Sequence, residues 1–133
     1  MSKNVTDRVI LKKIYDTYYS EFCAFDTVPT RESEVYVPID CHLIANDLGL
    51  NPSIVFGRLY YHLDKKHGYK KDDGLMVHLF THQIGEDKHA VNFPLLSAVL
   101  AEHEQSFYRF TIPLFVSTTA LLISIAAYVS SNT

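Results

Sequence analysis

Leu43-Ile44-Ala45-Asn46-Asp47-Leu48-Gly49-Leu50-Asn51-Pro52-Ser53-Ile54-Val55-Phe56-Gly57-Arg58-Leu59-Tyr60-Tyr61-His62-Leu63-Asp64-Lys65-Lys66-His67-Gly68 reads as two helices joined by a tight turn. Asp40 caps the first, which Gly49 ends, because glycine accepts the left-handed backbone that a helix exit wants. Asn51 caps the second, with Pro52 at its first position, where a missing N–H matters least. That helix is expected to reach about Lys66. Val55, Leu59 and Leu63 form its inward stripe, and Leu50 plugs the turn. Ala45 falls where the two helices cross and only a small side chain fits. Ile54, Arg58, Tyr61 and Lys65 are expected to face outward.

Working outward, Thr6 caps a helix running to about Cys23. Its Ile10, Ile14, Tyr18 and Phe22 recur every four residues, beside Leu11, Tyr15 and Tyr19. Residues 26–34 make a polar loop holding Pro29. Val35, Tyr36, Val37 and Ile39 make a short strand that Pro38 marks as an edge. Beyond Gly68, residues 70–74 form a turn. Leu75 to Phe80 and His89 to Phe93 then read as the two strands of one hairpin, with Gly85-Glu86-Asp87-Lys88 at its tip. Pro94 opens a last helix with Leu95, Leu96, Val99 and Leu100 apolar.

Helix, strand, helix, turn, helix, hairpin is an order that resembles the winged helix-turn-helix of bacterial transcription regulators. The Asn51-Pro52-Ser53 opening and the Asp64-Lys65-Lys66-His67-Gly68 exit also match that family's habit, over about Val35 to Phe93. The resemblance implies an α+β domain of three helices and a small antiparallel sheet with a wing, over residues 1–93. It also implies a DNA contact, with the second helix of the pair in the major groove and the wing on phosphates. The face so implied is Ser53, Ile54, Gly57, Arg58, Tyr61, Lys65, Lys66, Lys70 and Lys71. Residues 58–71 carry a local charge of +4, in a chain whose net charge is −3. Arg58 suits a guanine edge and the lysines suit phosphates.

Other features point to a protein partner instead. Ile54, Phe56, Tyr60 and Tyr61 make much of the outer surface apolar or aromatic, which usually marks a protein-binding site. The expected wing tip carries Glu86 and Asp87 against Lys88, the wrong sign for phosphate. A DNA-binding transcriptional regulator is the first expectation, and a module that docks a protein is the alternative.

The charges are unevenly placed. All 27 lie between Lys3 and Arg109, and the last 24 residues carry none. About twenty helical residues, 110–129, span roughly the 30 Å of a bilayer's hydrocarbon core. Tyr108 and Tyr128 stand near the ends and Arg109 flanks the start, which favours keeping the N-terminal part in the cytoplasm. The organisation expected is a domain over 1–93, a connecting helix 94–109, a single transmembrane helix 110–129 and a short tail 130–133. The location expected is the inner (cytoplasmic) membrane. Pro113 is expected in the first turn of the span or at a kink. Ser117, Ala120, Ser124 and Ala127 lie along one helical stripe, where small residues would let two membrane helices pack as a homodimer.

The remaining residue types say less. Cys23 and Cys41 are too few for a disulfide framework, form no C-x-x-C, and are expected to be buried. His78, His82 and His89 are weak candidates for a metal site, if the wing strands bring three nitrogens together. No phosphate-cradling glycine loop and no catalytic triad context is visible, so neither an enzyme nor a cofactor is expected.

Overall fold

A computed structural model of the protein describes residues 4–27, 31–85 and 87–132. Among the described residues it is an α+β structure of small antiparallel sheets and four helices, the last of them long and apolar. Helix α1, Asp7–Cys23, starts where the Thr6 hydroxyl accepts from the Val9 N–H. Strand β1, Tyr36–Pro38, follows, then helix α2, Cys41–Leu48, capped by the Asp40 carboxylate. Gly49 ends α2 at φ 70°, the left-handed exit the sequence asks for.

Helix α3 covers 52–67 in three pieces: α-helical Pro52–Gly57, a π-helical turn Arg58–Leu63, and α-helical Asp64–His67. The wide turn shows in the Asp64 N–H, which donates to the Leu59 carbonyl. A strict four-residue spacing drifts off one face of a 3.6-residue helix. Val55, Leu59 and Leu63 are nevertheless all buried, Leu59 and Leu63 within the wider π turn.

The expected single hairpin is two hairpins. Strands β2, Tyr69–Lys70, and β3, Met76–Val77, pair as Tyr69↔Val77 and Lys70↔Met76. Strands β4, Phe80–Ile84, and β5, Asp87–Asn92, pair next, and β1 joins β5 to give the order β1-β5-β4. Residues 75–80 are therefore not one strand. The Asp64 carboxylate interrupts them by accepting from the Leu79 N–H (2.8 Å) and the Phe80 N–H (3.3 Å). Pro38 does sit on an edge strand, as its missing N–H requires. At the expected wing tip, Glu86 lies outside the described residues, as do residues 28–30 around Pro29.

The core gathers Ile10, Leu11 and Ile14 of α1, Ile44 and Ala45 of α2, the α3 stripe, and Val37, Phe80 and Val91 of the sheet. Arg31, 6% exposed, ties the end of α1 to the following loop. Its guanidinium donates to the Glu21 and Phe22 carbonyls, which lack partners in the helix, and to those of Ser33 and Glu34. Of the two cysteines, Cys41 is buried but Cys23 is exposed at the last turn of α1, contrary to expectation. Burial, helped by Asp40, pushes the Cys41 thiol up to about 11.

Helix α4, Phe93–Ser131, begins where the Asn92 side chain accepts from the Leu95 N–H. Leu96, Val99 and Leu100 belong to the core, and the boundary between the two compact units falls after Leu100 rather than after residue 93. The helix passes Pro113 without interruption, so that proline lies neither at a helix start nor at a break. Among the described residues, one helix is thus long and apolar enough to cross a membrane.

Candidate functional site

The outward side of α3 divides into three parts. The first is a polar cluster at its start. Arg58 donates from Nη1 to the Asp7 carboxylate (2.8 Å) and the Val5 carbonyl (3.1 Å), and from Nη2 to the Asn4 side-chain oxygen (2.8 Å). His62 Nε2 lies 3.1 Å from the other Asp7 oxygen. Burial alone would raise the Asp7 carboxyl, but the hydrogen bonds and positive charge of Arg58, with His62, hold it below the ordinary carboxylate range. Asn4, Asp7, Arg58 and His62 line an open cleft of about 990 Å³ together with exposed Ser53 and Ile54 and half-buried Gly57.

Arg58 is therefore not a free reader of a ligand edge: its side chain is 20% exposed and its charge is met by Asp7. Tyr61, three residues on within the π turn, is by contrast 70% exposed.

The second part is aromatic. Phe56 stacks on Tyr60, with centroids 5.3 Å apart, and Tyr60 meets Tyr61 edge-on at 5.1 Å. Phe56 also packs against Phe80 and His89 across the sheet. Tyr61 is 70% exposed, and Tyr60 is exposed beside it. His82 and His89 stand opposite one another between the Thr81↔Ala90 and Gln83↔Lys88 pairs, centroids 5.1 Å apart. Burial, then the neighbouring His82, Lys88 and His42, hold His89 below the usual imidazole value.

His78 does not join that pair. It precedes β4, and its Nδ1 lies 3.1 Å from the Asp64 carboxylate. The three-nitrogen set is thus not assembled, and no group of three metal-ligating side chains exists among the described residues.

The third part is basic. Lys65 and Lys66 at the end of α3, and Lys70 and Lys71 on the first hairpin, are all exposed. Lys71 approaches Asp73 at 3.8 Å, a surface pairing of little weight. Compared with protein-family models, curated protein sequences and solved structures, the chain has no match.

In α4, Ser117, Ala120, Ser124 and Ala127 keep their single stripe, and all are exposed. The Ser124 hydroxyl donates to the Ala120 carbonyl, and Thr118 and Thr119 likewise donate four residues back, to Leu114 and Phe115. Hydroxyls satisfied within their own helix suit a hydrocarbon surrounding, which offers no other partner.

Asp7, Asn4 and Asp64 are the site residues that sequence reasoning missed. Asp7 carries one local sign, an acid in the first turn after a threonine cap, but that reads as a helix-dipole partner rather than a clamp.

Proposed function

We propose that the chain is a membrane-anchored interaction module. A winged-helix-type domain on the cytoplasmic face of the membrane presents the aromatic side of α3 to a protein partner, and α4 recruits that partner to the bilayer. The observation that carries the reading is the allocation of the α3 side chains. Arg58 is committed to Asp7 and Asn4, while Tyr61 and Tyr60 stand exposed on a packed aromatic base. Exposed rings on a rigid support are what protein interfaces use as anchors, since they cover much area with little loss of freedom.

A second reading, DNA binding by a tethered regulator, is favoured by the four exposed lysines. Duplex titrations of the full chain in nanodiscs separate the two. A protein-docking module binds duplex feebly even at low salt, and Tyr61→Ala releases a partner that Lys65→Ala and Lys70→Ala retain. Steep salt dependence of duplex affinity, weakened by Lys65→Ala and Lys70→Ala alike, overturns the proposal in favour of DNA.

A further inference from the structure

The β2–β3 hairpin puts a cluster of large apolar side chains on the surface: its Tyr69, Leu75 and Met76 are 54%, 64% and 52% exposed. Lys70 and Lys71 follow Tyr69 on β2, Lys70 directly across from Met76, and Lys65 and Lys66 lie just before, at the end of α3. Residues 65–77 carry these four lysines against Asp72 and Asp73, a local +2 in a chain of net −3. Asp73 is partly spent on the turn itself, accepting from the Leu75 N–H at 3.0 Å and facing Lys71.

The turn is well formed despite its small size. The Lys71 N–H donates to Leu75, the Gly74 N–H donates to Lys71, and Gly74 takes φ 88°, open to glycine at no steric penalty. A two-residue ladder without a buried face is marginal alone.

We propose that this hairpin and the end of α3 dock on an anionic bilayer surface, giving the folded unit a second membrane contact besides the span. Long apolar and aromatic side chains with lysines on the same small hairpin fit the headgroup boundary, where the rings and aliphatic chains enter the acyl edge and the ammonium groups stay with lipid phosphates. Duplex DNA would satisfy the lysines but leave Leu75 and Met76 in water. The covalent link to α4 keeps a bilayer surface at high effective concentration for this unit, so a weak contact suffices. The inference rests on the reading of α4 as a membrane span and is independent of what the aromatic side of α3 binds.

The test uses the full chain with Cys23→Ser and Asp72→Cys, labelled at residue 72 with an environment-sensitive fluorophore. Buried Cys41, its thiol pushed up to about 11, does not compete for the label. The protein is placed in nanodiscs of phosphatidylcholine, with and without phosphatidylglycerol. The expected result is a blue-shifted emission shielded from an aqueous quencher only in the anionic discs. That shift is lost in Lys70→Glu/Lys71→Glu and in Leu75→Ser/Met76→Ser. Identical emission in both discs overturns the proposal, and so does a shift that survives the double serine change. A response to added duplex in zwitterionic discs assigns the lysines to nucleic acid instead. Failure to insert into discs at all discards the span reading and this inference with it, whereas insertion without a shift discards the inference alone.

Discussion

The two hairpins begin from the same kind of sequence and end differently. In β4–β5, Phe80, Ala90 and Val91 are fully buried, the strands are five and six residues long, and β1 adds a third. In β2–β3 each strand has two residues and no side chain is fully covered. Both have antiparallel ladders and a positive-φ glycine at the turn, Gly85 and Gly74. The contrast teaches that the covered face, rather than the ladder, decides which hairpin belongs to the fold. The other is left available to surroundings.

The largest effect should come from removing that face. Phe80→Ala empties a site packed against Phe56 and Tyr60, and should destabilise by about 3–5 kcal/mol. Tyr69→Ala on the other hairpin should stay within about 0.5 kcal/mol. Urea unfolding of the full chain in mild detergent, followed by circular dichroism, measures both. Equal losses at the two positions would break the comparison.

Asp64 is the seam between the hairpins, and its loss should rank next. Its carboxylate is 16% exposed and holds the Leu79 and Phe80 N–H groups and His78. Asp64→Ala leaves two backbone donors to find other partners, at a cost of about 1–3 kcal/mol. Hydrogen exchange should quicken in peptides from both hairpins, where Phe80→Ala quickens chiefly the second. Exchange confined to residues 69–77 would mean that Asp64 does not anchor the start of β4.

Asp64 also shows why the sequence was only partly legible. Ala45, Gly49 and the Val55-Leu59-Leu63 stripe were readable because each depends on neighbours within a turn or two. The apolar run 75–80 looked like one strand because the carboxylate that divides it lies fifteen residues upstream of Leu79. The Arg58–Asp7 pairing is hidden for the same reason at longer range: Asp7 is 51 residues away and no local pattern joins them. The π turn over Arg58–Leu63 had no evident sequence sign either. The charge-free stretch after Arg109 needed only composition, whereas the continuity of α4 from Phe93 through Pro113 depends on three-dimensional context.

The smallest expected effect is one of pH, and it should again fall on one hairpin. Burial, with His82, Lys88 and His42 nearby, lowers the folded-state pKa of His89 below its ordinary value of about 6.5. Between those two values the unfolded chain holds more protons than the folded one, so stability rises with pH there. The contribution is complete above about 6.5 and is lost as pH falls through the lower folded value. Exchange of the β4–β5 amides, corrected for intrinsic rates, should therefore quicken slightly on acidification through that window. Residues 69–77 contain no histidine and form the internal reference. His89→Asn should remove the dependence while keeping the backbone, since His89 sits at φ 54° and asparagine is among the residues that tolerate that region. A slope that persists in the variant would locate the titration elsewhere in the sheet and leave the His82–His89 pair as packing alone.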